Sequence, residues 1–186
     1  SLHFDSKTLA IKGRQSMGNI LTRNAVRSIN LKDEGISTLS ARKIWFDESV
    51  KRLNVNEAGR YLGEFHGTDK ILAVMQSAVY RTTSFDLANH YDDDLIDLRK
   101  FRPDQIVTAL YRSADGYPYL KRFVPEPTDR NAPFLDDDGS SLISICMHFY
   151  PRLEVVYTPD SGKKVSSEII DVDDFIGVKS SKAKGK

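Results

Sequence analysis

The sequence predicts an all-β fold, a propeller-like array of about three or four four-stranded blades in an arc or partial ring. Three observations predict it. A motif near the start of the chain is written again at its end, three hairpins of one design follow each other at loose intervals, and no long amphipathic helical pattern is present. Self-similarity points to a repeat architecture, and units of roughly 40 residues with about four short strands are the size of propeller blades.

The first copy of the motif is Leu9-Ala10-Ile11-Lys12-Gly13-Arg14-Gln15-Ser16-Met17-Gly18-Asn19, and the second is Ile176-Gly177-Val178-Lys179-Ser180-Ser181-Lys182-Ala183-Lys184-Gly185-Lys186. In both, large and small residues alternate up to a lysine, and a glycine follows the lysine after five intervening positions. That is a strand followed by a basic loop. Residues 20–23 and 26–29 read as two short strands around Asn24, and Lys32-Asp33-Glu34-Gly35 as a turn. Residues 43–46 and 50–55 read as strands around Asp47-Glu48-Ser49, and residues 61–65 as another. The clearest hairpin joins residues 71–75 to 79–85 across Gln76-Ser77. Its first arm is continuously apolar and its second alternates, so one strand is inner and the other more exposed. The same design recurs over 106–111 and 119–123 across Ala114-Asp115-Gly116, and over 153–157 and 165–170 across Pro159-Asp160-Ser161-Gly162.

At 186 residues with 40% hydrophobic positions the chain has enough apolar mass for a core. It contains no apolar run of the roughly 20 residues that span a bilayer, and no signal-peptide pattern begins it. Its one cysteine, Cys146, fits a reducing compartment, so a soluble, cytoplasmic protein without membrane partners is expected. The chain starts without methionine and stops inside the repeated motif, which suggests a piece of a longer protein. The net charge of +1 conceals segregation. Eleven Lys/Arg face six Asp/Glu over residues 1–60, two face seven over 61–98, and seven face four over 99–135. Over 136–178 three face nine, and the last eight residues carry four lysines and no acid. Alternating blocks are compatible with one basic face on a neutral body, or with solvated loops of both signs.

With the first motif copy, Tyr61-Leu62-Gly63-Glu64-Phe65, Tyr119-Leu120-Lys121-Arg122-Phe123, Pro151-Arg152-Leu153-Glu154-Val155-Val156 and Lys182-Ala183-Lys184-Gly185-Lys186, the chain resembles the C-terminal region of bacterial type IIA topoisomerase A subunits. The likeness is strongest to topoisomerase IV of the Bacteroidetes lineage and runs from about Leu9 to Lys186. The resemblance implies a β-pinwheel whose basic rim binds and bends duplex DNA. Residues 1–186 would be one piece of that domain, with incomplete blades at both ends. It implies a parent enzyme that passes one duplex through another, using an active-site tyrosine outside this region, magnesium, and ATP through its partner B subunit. It also implies an A-subunit homodimer formed by regions absent here. Neither catalytic residues nor a cofactor are expected within the chain. Gyrase A subunits carry a glutamine followed by arginines and a Gly-Gly-Lys-Gly run on one loop. Gln15-Ser16-Met17-Gly18-Asn19 lacks that density of charge, which favours relaxation and decatenation over supercoiling.

Sequence-independent bending needs cations spread over a surface and close backbone approach. Lys12, Arg14, Arg23 and Arg27 fit this, as do Lys179, Lys182, Lys184 and Lys186, with Arg42, Lys43, Lys51 and Arg52 as a further group. Against each stands the solubilising lysine of an ordinary surface. Cys146 and His148 suggest a thiol and base but lack a third group to orient the imidazole, so a core cysteine beside a partly buried histidine is the reading taken. His90 with Asp92, Asp93 and Asp94 lacks the alternating ligands and glycine of a calcium loop and reads as a solvated turn. Tyr111, Tyr117, Tyr119, Phe123, Phe149, Tyr150 and Tyr157 are at strand spacing and read mostly as core and cross-strand pairs rather than a stacking platform. The alternative of another class is a protein-binding scaffold whose acidic loops at Asp92 and Asp136 meet a basic partner.

Overall fold

The computed structural model describes residues 20, 23–28, 41–135, 138–158 and 166–186. It divides the chain into two units, Ser1–Ser37 and Thr38–Lys186. The first motif copy, the turn at 32–35 and the loop at 159–162 lie outside the described residues. Of the two strands expected in the first unit, residues 20, 23 and 26–28 are described and form none. Val26 is 50% exposed, so this short run buries no face, and local β-propensity alone does not make a strand.

The second unit is built of small antiparallel sheets. β1 (Arg42–Asp47), β2 (Arg52–Asn54) and β3 (Arg60–Phe65) form the first, in the order β2-β1-β3. Ser49 donates both its N–H and its hydroxyl to Asp47 Oδ1, which turns the chain after β1. β4 (Ile71–Met75), β5 (Val79–Thr83), β6 (Leu95–Lys100) and β9 (Ala132–Pro133) form the second, ordered β6-β4-β5-β9. β7 (Val107–Arg112), β8 (Pro118–Phe123) and β10 (Ser141–Cys146) form the third, ordered β10-β7-β8. β11 (Arg152–Val156) and β12 (Ser167–Asp171) pair as the fourth, and α1 (Val172–Phe175) is a single turn that follows it. Among the described residues only the second sheet has the expected four strands.

Consecutive sheets pack face to face, and the two-residue period of a strand shows how. β4 is buried at all five positions. Ile71, Ala73 and Met75 join Ile44, Phe46, Leu53 and Phe65 of the first sheet, while Leu72 and Val74 join Val107, Ala109, Tyr111 and Phe123 of the third. The third sheet in turn sends Leu110 and Leu120 to Leu153 of the fourth and to Val172 and Ile176. An apolar residue at every position of β4 is therefore what a strand covered on both faces requires.

This layering explains where the hairpin design fails. In the first hairpin β4 is inner and β5 only alternately buried, as expected. In the second, the polar-looking arm β8 is buried from Leu120 to Phe123, Lys121 and Arg122 included, because neighbours cover both faces of this sheet. In the third neither arm is inner: no residue of β11 or β12 is fully buried, since one face of this terminal pair lacks a neighbouring layer among the described residues.

The last ten residues close the free edge of β8. Lys179 N–H donates to Arg122 O at 2.8 Å, and Leu120 and Lys186 exchange both backbone hydrogen bonds at 2.8 Å. The second motif copy thus departs from its strand-and-loop reading. Ile176 donates to Val172 O and packs in the apolar cluster of α1, Val178 is 45% exposed, and only Lys179 makes a single-residue bridge, to Phe123.

Candidate nucleic-acid interface

The cations singled out in the sequence fall in separate places. Lys12 and Arg14 lie outside the described residues, and Arg23 and Arg27 are exposed in the first unit. The group Arg42, Lys43, Lys51 and Arg52 is split: Arg42 and Lys43 open β1, whereas Arg52 pairs with Asp47 at its far end. At about 3.3 Å per residue the two pairs stand roughly 16 Å apart. Lys51 takes a left-handed φ of 55° in the turn, and its carbonyl accepts the Tyr91 N–H at 3.2 Å. Lys179, Lys182, Lys184 and Lys186 are brought together on the C-terminal tail, all exposed.

What these residues share is electrostatic. None of the ten described ones is within ion-pair distance of a carboxylate. Several cations outside the group are neutralised, although Lys70, Arg112 and Arg130 hold no ion pair either: Arg60 by Glu48 at 3.5 Å, Arg81 by Asp92 at 3.0 Å, Arg99 by Asp97 at 2.7 Å and Lys100 by Asp69 at 2.8 Å. Arg102, Arg122 and Arg152 likewise meet Asp104, Asp173 and Asp171. The unneutralised charges are those that can be exchanged for phosphate without first breaking an internal pair.

The tail fixes its lysines through backbone and ring contacts. Lys184 Nζ stands 5.9 Å from the Tyr119 ring centroid, while Lys186 Nζ lies 4.7 Å from that of Phe175 and donates to Phe175 O at 3.1 Å. Beside Lys184, Asp115 is held below the usual carboxylate range, first by the Tyr117 N–H, then by the Tyr119 hydroxyl, with Lys184 a smaller contribution. Asp69 is lowered for a similar reason, chiefly by hydrogen bonding to Lys100.

The alternative chemistries fare differently. β10 ends at Cys146, which is half-buried rather than in the core, and His148 lies beyond the strand and is exposed, so extended alternation does not relate the pair. Asp92 accepts from Arg81 of β5, and Asp94 accepts the Ser77 N–H of the turn between β4 and β5, so these carboxylates tie their loop to the neighbouring hairpin. Tyr111 and Tyr119 form a cross-strand pair 5.8 Å between ring centroids, and Phe123 is buried, but Tyr117, Tyr150 and Tyr157 are exposed at 69%, 79% and 47%. Sequence reasoning missed two residues that govern the tail, Arg122 and Gly185. The signal for the first was an adjacent Lys-Arg pair in a strand: two neighbours point to opposite faces, so covering both faces buries both charges.

The family model described as Topoisomerase C-terminal domain, Bacteroidota, matches residues 52–186. The chain belongs to this family. No curated protein and no solved structure matches the chain. The topoisomerase C-terminal domain match begins at Arg52, well inside the span from Leu9 that the resemblance suggested. It takes in Arg52 and the four tail lysines and leaves Arg42, Lys43, Lys51 and the basic residues of the first unit outside. Among the described residues no helix is long and apolar enough to cross a membrane.

Proposed function

We propose that this topoisomerase-associated domain binds and bends duplex DNA, holding a segment for ATP-dependent strand passage, relaxation and decatenation by a topoisomerase IV-like enzyme. The face-to-face stacking of small antiparallel sheets supports an open β-pinwheel, and the tail lysines are assigned in this reading to its basic rim. The breaking and resealing of strands, with its magnesium and the ATPase of a B subunit, belongs in this reading to other parts of a heterotetramer built on an A-subunit dimer. The observation that carries the proposal is the C-terminal tail, which presents four exposed lysines that hold no ion pair. Smooth bending of a 20–30 base-pair site costs on the order of 1–6 kcal/mol, so several phosphate contacts must offset it.

Charge reversal tests the assignment. Lys182→Glu with Lys184→Glu, and separately Lys12→Glu with Arg14→Glu, are expected to weaken binding to a short random duplex at least about tenfold, by removing and repelling phosphate contacts. The midpoint of thermal unfolding should move little, because neither tail lysine holds an ion pair. Unchanged affinity in either double variant removes that surface from the interface.

A further inference from the structure

We propose that Arg122 is a positioning residue for the tail lysines: its buried guanidinium fixes the point from which residues 179–186 are carried, and Gly185 lets that segment close onto β8. The proposal rests on the reading that this tail meets a duplex.

Arg122 is 1% exposed, yet it is not a core residue of the ordinary kind. Its Nη1 donates to Asp173 Oδ1 at 2.6 Å and to Ile176 O at 3.2 Å, and its Nη2 donates to Phe149 O at 2.8 Å. One side chain thereby joins β8 to α1, to the residue that ends α1, and to the segment after β10. Its backbone carbonyl accepts Lys179 N–H at 2.8 Å, so the first lysine of the tail is tied to the same residue. The last, Lys186, is tied two residues away at Leu120. Between them the chain turns on the Ala183 N–H to Ser180 O bond of 3.0 Å.

Gly185 completes the closure by having no side chain. Its N–H donates to Tyr111 Oη at 3.2 Å, and a Cβ there would stand 2.6 Å from both Leu120 O and Tyr111 Oη. Both ends of a lysine loop are thus fastened to neighbouring positions of one strand. The loop meets a duplex with its backbone already ordered, so the ordering entropy that a free lysine-rich chain loses on binding has been met by folding. Lysine at position 122 cannot substitute, because its single nitrogen cannot stand at both the Nη1 and the Nη2 positions, which meet acceptors on different segments.

The test uses the full chain with a random duplex of about 25 base pairs, titrated between 50 and 200 mM salt, together with backbone amide exchange over residues 177–186. Arg122→Met and Gly185→Leu are each expected to raise exchange across the tail about a hundredfold and to weaken duplex binding about tenfold, with the salt slope falling by about 2.7 as three tail contacts are lost. The triple variant Lys182→Ala, Lys184→Ala, Lys186→Ala should match that slope, and adding Arg122→Met to it should cost nothing further. A partial loss of folded protein scales the apparent affinity but leaves the slope, which separates positioning from mere destabilisation. Gly185→Leu leaves the core arginine intact and carries the test alone if Arg122→Met does not fold. Wild-type slope and affinity in a variant whose tail exchanges fast would overturn the proposal, as would tail exchange unchanged in both variants. Failure of the wild-type chain to bind duplex removes the DNA-binding reading and this proposal with it, while the exchange data still report whether the tail is anchored.

Discussion

Gly59→Ala is expected to destabilise the second unit by about 3 kcal/mol, combining a left-handed backbone penalty with a backbone clash. Gly59 has φ 84°, and a Cβ there would land on the carbonyl oxygen of Phe46, 2.9 Å from Asp47 Cα. Both are backbone atoms of β1 where it pairs with β3, Phe46 opposite Arg60, so the added methyl can be accommodated only by parting the two strands. Gly63 and Gly116 are the controls. They too have positive φ, 126° and 87°, but a Cβ at the first meets only Lys100 Cδ at 3.9 Å and at the second meets nothing within 4 Å. Alanine should cost about 1 kcal/mol at Gly116, the left-handed backbone penalty alone, and somewhat more at Gly63, whose φ lies further from any conformation an L-residue favours. Trp45, the one tryptophan, sits in β1, so its fluorescence in a urea titration reads the affected sheet directly. Equal losses for all three alanines would show that the contact with Phe46 is not what reserves position 59 for glycine.

Arg122→Met should cost a similar amount, about 3 kcal/mol, through a different mechanism. The substitution strands the buried acceptor Ile176 O, worth roughly 1–3 kcal/mol when left unpaired, and the part-buried Phe149 O, worth somewhat less. Methionine recovers part of that by burying apolar surface in the space of the stem. Asp173 is 55% exposed at its side chain, so it rehydrates rather than remaining as a buried charge. Asp173→Asn, which keeps an acceptor for Nη1 and both carbonyl bonds, is therefore expected to lose only about 1 kcal/mol. Denaturant midpoints of the two variants, measured side by side, check the order. A larger loss for Asp173→Asn than for Arg122→Met would mean that the ion pair, not the carbonyl bonds, holds α1 against β8.

Much of the strand content was legible because it is written locally. The unbroken apolar run over residues 71–75, the Asp115-Gly116 turn and the apolar positions Ile44, Phe46 and Leu53 around Asp47-Glu48-Ser49 carry their own periodicity and turn chemistry. β6 was not read, since Leu95-Ile96-Asp97-Leu98-Arg99-Lys100 follows three aspartates and is half charged. It is a strand because β4 offers an edge to pair with. β9 is two residues long and contains Pro133, which suits an edge and gives no pattern to find.

The candidate site divides along the same line. The tail lysines are evident from composition, and their lack of ion pairs is a property of the fold. The charge segments suggested a basic face made of whole blocks of sequence. Instead, Lys121 and Arg122 within one basic block are buried, at 2% and 1% exposure, and the 42–52 group is divided between the two ends of a strand. Which face is covered twice depends on the order in which sheets stack, and no local pattern records that order.

The most direct test of the central claim is the affinity of the wild-type chain for a short random duplex as a function of salt, with a single-stranded oligonucleotide of equal charge alongside. Phosphate contacts from the unneutralised cations predict duplex binding without sequence preference and a log–log salt slope of about −4 or steeper, near −0.9 for each contact. Absence of duplex binding at low salt, or binding whose affinity does not respond to salt, would contradict the account and favour a protein partner for this domain.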